Sequence, residues 1–202
     1  MIRLLFRSVK EGNLLFFYPY KILRISLLIL FFITPSCKKD NGNPSHTNEI
    51  TLSSQTFGTQ PYYIMGYSFE YQDFYERISS GSEIDIYLNE ILNTKGELTG
   101  VQFSTNTVSE STYGFYLNAE FLDLAGAEEF YNNYNQAAFP EFVTLTDTIK
   151  AFQMYTFRTW KANYVKFFVK EIRVYNEGDR AEYMEVDIKY FIQRDGTIYF
   201  SN

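Results

Sequence analysis

This chain of 202 residues has one cysteine, one histidine and one tryptophan. A single cysteine cannot form an internal disulfide, and no Cys/His cluster exists to build a structural zinc site. Nucleophilic catalysis through a Cys–His or Ser–His pair has almost no material, because the sole histidine, His46, sits in a polar stretch. No Asp-x-Asp-x-Asp-Gly loop offers a calcium site. Carboxylates are plentiful, but no pair of them is singled out as an acid/base couple. The residue types therefore argue against an enzyme and against a resident metal. Basic residues are also scarce, 18 against 24 acidic ones. That balance argues against nucleic acid, which needs clustered Lys and Arg.

Long apolar runs are missing too. The longest is Ile25-Ser26-Leu27-Leu28-Ile29-Leu30-Phe31-Phe32-Ile33, flanked by Lys21 and Arg24. It is about half of the roughly 20 residues that a spanning helix needs. A basic flank, a short apolar core and then Thr34-Pro35-Ser36-Cys37 have the layout of a secretory signal. The cysteine at the cleavage point gives it the form of a bacterial lipoprotein signal. Residues 1–36 are then the signal peptide, and Cys37 is the lipidated first residue of the exported protein. The implied location is the cell envelope, lipid-anchored, at the outer membrane or cell surface of a Gram-negative bacterium. Five of the 18 basic residues and one of the 24 acidic ones lie in the leader, which leaves 13 and 23 and a net charge of −10. Attachment to the membrane would then depend on the lipid rather than on charge.

Residues 37–60 read as a flexible tether rich in Asn, Ser, Thr and Gly, with no apolar periodicity. Residues 61–202 read as one domain. Its aromatic content is high, with 18 Tyr and 20 Phe in the chain, and such residues suit a pleated, half-buried surface. Strands are expected at Tyr62–Phe69, with Gly66 at a close approach, at Ile84–Leu88, Leu98–Ser104, Tyr113–Asn118, Phe142–Ile149 and Phe152–Arg158. Val165, Phe167 and Val169 alternate with Lys166 and Lys170, and the phase then slips, which predicts a β-bulge near Lys170-Glu171. Asn176–Asp179 makes a turn into the alternating stretch Met184–Ile192, and Asp195-Gly196 predicts a second hairpin onto Ile198 and Phe200. One short helix is expected near 125–138, from the spacing of Ala127, Phe130, Tyr131, Tyr134 and Ala138, with Glu128 and Glu129 at its positive end and Pro140 stopping it. The expected fold is all-β: antiparallel sheets in a sandwich or open barrel, with that one helix.

Three segments carry a resemblance: Tyr155-Thr156-Phe157-Arg158-Thr159, Asn163-Tyr164-Val165-Lys166-Phe167, and Tyr190-Phe191-Ile192-Gln193-Arg194-Asp195-Gly196-Thr197. Over roughly residues 150–200 the chain resembles the HmuY-type haem-binding lipoproteins of Gram-negative surfaces. The resemblance implies an all-β surface domain, with haem or another flat apolar molecule as ligand and an outer-membrane receptor as partner. It does not carry the ligands over. The best-known member of that family holds haem iron between two histidines, whereas this chain has His46 alone. Met65, Met154 and Met184 are the remaining thioether candidates, and a tyrosinate is another route to iron; methionine in a strand is otherwise core filler. Trp160 reads as a loop aromatic, either stacking on a sugar or haem or capping the core. The alternative function is a surface lipoprotein that docks a protein and takes no small ligand.

Overall fold

The computed structural model describes residues 48–59, 61–77, 83–106, 113–137, 141–176 and 181–200. Cys37 and His46 lie outside the described residues. Among the described residues nine strands and one helix follow in order: β1 (Asn48–Ser53), β2 (Met65–Ser68), β3 (Asp73–Glu76), β4 (Tyr87–Leu92), β5 (Leu98–Ser104), β6 (Gly114–Glu120), α1 (Leu124–Asn133), β7 (Gln153–Arg158), β8 (Tyr164–Tyr175) and β9 (Tyr183–Gln193). All pairings are antiparallel. Strands β1-β9-β8-β7-β6 form a five-stranded sheet, and β2-β3 and β4-β5 are separate hairpins. The expected class, antiparallel β with one helix, is the observed one, and the described strands close no barrel.

The middle of the large sheet is a central layer, and residues 164–169 of β8 are buried on both faces. Val165, Phe167 and Val169 of β8 join Val186, Ile188 and Tyr190 of β9 in a core shared with Tyr67, Ile86, Leu88 and Phe103 of the hairpin layer. On the other face, Phe168, Met154 and Phe191 pack with Ala127 and Tyr131 of α1 and with Phe200. The alternation in β8 therefore separates two cores rather than a core from water. Lys166, on the helix side, is 2% exposed. Its Nζ donates to the carbonyls of Tyr131 (2.9 Å) and Tyr134 (2.8 Å) at the end of α1, where the helix has unpaired acceptors. It also lies 4.7 Å from the Tyr131 ring centroid. Burial pushes the pKa of this ammonium down to about 8.

The bulge in β8 falls where expected, between Val169 and Glu171. Gly66 is a close approach: a Cβ there would overlap Ile84 Cγ2. Four expectations are corrected. Helix α1 ends at Asn133, with Asp123 capping its start by accepting from Gly126 N–H (2.8 Å), so Glu128 and Glu129 stand beyond the first turn. Asp195-Gly196 does turn the chain, but only Gly196 has positive φ, and Ile198–Phe200 bonds to Asn135 and Ala137 instead of returning along β9. Segment 142–149 is not a strand. It is an irregular bridge whose backbone reaches Val101, Phe103 and Thr105 on one side and Phe115 on the other.

The fourth correction concerns the tether. Its last part is not free, because β1 pairs with β9 from Asn48↔Tyr190 to Ser53↔Glu185 and Leu52 is fully buried. Ile50 and Leu52 alone mark this strand in the sequence, too few for a periodic signal. Backbone pairing with the edge of β9 supplies the rest. Leu52→Ala is expected to lower unfolding free energy by about 2–5 kcal/mol in denaturant titration, the range for truncating a buried leucine. A change under about 0.5 kcal/mol, as at an unpacked site, would return residues 48–53 to the tether.

Candidate functional site

The sheet has two ends with different chemistry. At one end β1 stops, β9 begins, and the chain enters β2 and leaves β3. A cleft of about 810 Å3 opens there among Ser54, Pro61, Tyr62, Ile64, Arg77 and Glu90. A second hollow of about 560 Å3 adjoins it, sharing Thr56, Tyr62 and Glu90 and reaching Tyr183. Both volumes lie in the range of small-ligand pockets. The walls are set by short-range contacts. Phe57 and Tyr63 exchange backbone bonds (2.8 and 3.0 Å) and stack at 6.0 Å, which folds the connection back as a loop. Ser54 Oγ donates to Glu90 Oε1 (3.1 Å), and the Arg77 guanidinium covers the Tyr87 ring at 4.1 Å. Tyr62 is 63% exposed and presents a flat ring beside this mixed rim. An aromatic plate flanked by carboxylates and one guanidinium can hold a planar molecule by stacking and fix its polar edge.

The methionines are not at this cleft. Met154 is fully buried in the helix-side core, and Met184 packs in the opposite core across the sheet. Met65 pairs with Glu76 in the β2-β3 hairpin, and none of the three lines either hollow. The sheet thus keeps Met154 and Met184 apart, and they cannot share one iron. Among the described residues no group of three or more His, Cys, Asp or Glu could hold a metal ion. Tyr62 stands in the loop before β2 rather than at the start of the expected strand Tyr62–Phe69, and Arg77 and Glu90 carry no mark in the sequence. Pro61 directly before Tyr62 was the available signal, because proline disrupts a ladder and marks an edge or loop.

The other end carries Trp160, in the β7–β8 hairpin loop, 46% exposed. It is not a cap on the core. Lys161 Nζ sits 4.9 Å from its ring and 4.6 Å from that of Tyr71, itself 48% exposed in the β2–β3 turn. One carboxylate ties the two loops. Glu70 accepts from Thr159 Oγ1 (2.5 Å) and from Asn163 Nδ2 (2.9 and 3.1 Å).

The β2–β3 turn is itself held by Asp85, 3% exposed, whose Oδ2 accepts from Phe69 N–H (2.8 Å), Ser68 Oγ (3.3 Å) and Glu70 N–H (3.4 Å). Oδ1 has no hydrogen-bond partner. Burial pushes this carboxyl up to about 7, against the Phe69 N–H bond, which lowers it. Nearby, the hydroxyls of Tyr67 and Tyr190 share a 2.6 Å bond, and burial raises the Tyr67 pKa. A lone acid inside Ile84-Asp85-Ile86 was the sequence signal for a buried anchor, masked by its fit to simple alternation.

No family model matches the chain, and no curated protein matches it. No described helix is long and apolar enough to cross a membrane.

Asp85 sets a pH dependence. Its pKa is raised in the folded state, so between about 4 and 7 the folded protein binds more protons than the unfolded chain, and stability falls as pH rises through that window. With one pKa unit near 1.4 kcal/mol, the group's part is on the order of 4 kcal/mol across the full window. Denaturation curves from pH 4 to 8 should show the decline in the native protein and a flatter profile in Asp85→Asn. An equally steep profile in the variant would remove Asp85 as the cause.

Proposed function

We propose that this protein is a cell-envelope lipoprotein, anchored through Cys37, whose all-β domain binds a flat, largely apolar ligand in the cleft beside Tyr62. The observation that carries the reading is the cleft itself: about 810 Å3, with an exposed ring 63% open to solvent and both charge signs at its rim. The resemblance to HmuY-type lipoproteins supports haem or a molecule shaped like it. The donor set argues for recognition by stacking, with tyrosine and carboxylate oxygens as the groups near the ligand. The signal layout around Cys37 supports export and attachment, and it suits the outer membrane or cell surface of a Gram-negative bacterium.

Two measurements test this. The full chain in detergent is titrated with ferric haem and, separately, with metal-free protoporphyrin. Binding of both, weakened about tenfold or more by Tyr62→Ala, supports a stacking site; the size matches the loss of one aromatic contact of about 1.5 kcal/mol. Binding of haem alone would place iron ligation at the centre instead. Binding of neither would favour the second reading, a lipoprotein that docks a protein. Its supporting observation is a hollow at the β6 edge with a mixed lining, where Leu117 and Val143 are 41% and 48% exposed beside Glu120, Asp147 and Lys150.

For the anchor, Cys37→Ser is expected to move the protein from the membrane pellet to the soluble fraction with its melting temperature unchanged, because Cys37 precedes β1 by ten residues. Retention in the pellet would mean that the apolar segment itself is the anchor.

A further inference from the structure

We propose that the Tyr71–Trp160–Lys161 tip is a second, non-covalent membrane contact that stands the domain upright on the lipid surface. The inference rests on the anchoring of the chain at Cys37.

The strand registers place the entry of the chain from Cys37 nearer the Trp160 end of the sheet than the cleft end. Strand β9 runs from Tyr183 at the cleft end to Gln193, and Gln193 pairs with Tyr164 directly after the Trp160 loop. Strand β1 runs the opposite way, and its first residue, Asn48, pairs with Tyr190. The chain coming from Cys37 therefore enters the domain three residues below the level of the Trp160 loop, about 10 Å at the rise of a strand. Three strand spacings, about 15 Å, separate β1 from β7 across the sheet. Ten residues, 38–47, connect Cys37 to Asn48, with a reach of at most ~38 Å. A lipid on Cys37 is thus able to bring the bilayer surface to the tip. With the tip on the lipid, the cleft beside Tyr62, at the far end of the same sheet, stays open to the medium.

The chemistry of the tip suits the headgroup layer. Trp and Tyr concentrate at membrane–water interfaces, where an apolar ring body and a polar edge are both satisfied, and Lys extends an ammonium toward phosphate. The tip presents Trp160 and Tyr71, each nearly half exposed, with Lys161 Nζ within 5 Å of both rings. It is held before any contact is made. Asp85 fixes the turn that carries Glu70 and Tyr71, and Glu70 in turn clamps Thr159 and Asn163 on either side of Trp160. Gln72 and Ala162 take positive φ, at 56° and 63°, in the two loops that form the tip. A fixed tip loses little conformational freedom on docking. One interfacial patch adds only modest affinity alone, and a second attachment is what converts reversible association into stable anchoring.

Trp160 is the only tryptophan, so its fluorescence reads the tip directly. The full lipidated chain is placed in phosphatidylethanolamine–phosphatidylglycerol vesicles, with and without lipids brominated near the top of the acyl chain. Flotation reports the anchor, and emission reports the tip. The expected result is flotation with emission shifted to the blue and quenched about twofold by the brominated lipids, since interfacial rings sit at headgroup level. A Tyr71→Ser/Lys161→Ser double variant should still float, with most of that quenching lost. Flotation with no quenching, and with acrylamide access as high as for detergent-free soluble Cys37→Ser protein, would overturn the contact and leave the anchor intact. Failure to float would overturn the anchor, and this contact with it. Emission unmoved by lipid but shifted by soluble dextran would assign the tip to carbohydrate and overturn the membrane contact.

Discussion

The first half of strand β8, residues 164–169, is buried on both faces, and the rest of the structure is arranged around that. Phe167 points into one core, where its ring lies 5.2 Å from Tyr155 and 5.3 Å from Phe103. Phe168 points into the other, 5.2 Å from Tyr131 of the helix. A strand with two apolar faces must be covered twice, so the hairpins β2-β3 and β4-β5 pack on one side and α1 on the other. Fixed aromatic pairs of this kind add to the area they bury. Among the described residues, which contain no cysteine, they supply constraint without any disulfide.

The same sheet separates two surfaces. Its strands run their full length between a cleft at one end and an aromatic tip at the other, and no described residue belongs to both. The polar groups that organise each end are carboxylates, exposed at the cleft and half-buried or buried at the tip. Glu90 takes the hydroxyl of Ser54 at the cleft, Glu70 closes the tip, and Asp85 stands behind Glu70 with one oxygen unpartnered. Carboxylates suit this work because an oxygen accepts several bonds at once and so ties separate loops to one point. On the outer face of the long β8–β9 hairpin, Arg173 does the converse, donating to Glu171, Glu185 and Asp187, and these bonds hold the Asp187 carboxyl below its usual range.

Much of this was legible in the residues alone. The class, the long C-terminal hairpin and its bulge came from alternation and its one-residue slip, since a side chain in a strand has only two faces to choose from. The helix was legible in place but not in length, because a cap depends on a hydrogen bond from one side chain, and Asp123 lies outside the apolar spacing that marks the helix. The positions along the chain of Trp160, Met154 and Met184 were also plain. Whether the methionines met was not.

What the sequence by itself determined is therefore local: which stretches extend, where they turn, where the one cysteine sits beside a signal-like run, and which ligand types are scarce. Tertiary structure decided the rest. It drew residues 48–53 out of the tether because an open edge of β9 was waiting for a partner. It buried Lys166 and Asp85 because neighbours distant in sequence covered them and supplied their bonds. It placed Met154 and Met184 in separate cores because they sit on opposite faces of one sheet. It made the tip from residues ninety positions apart. The physical reason is the same in each case: periodicity reports the face on which a side chain stands, and only the packing of the whole chain determines what lies against that face.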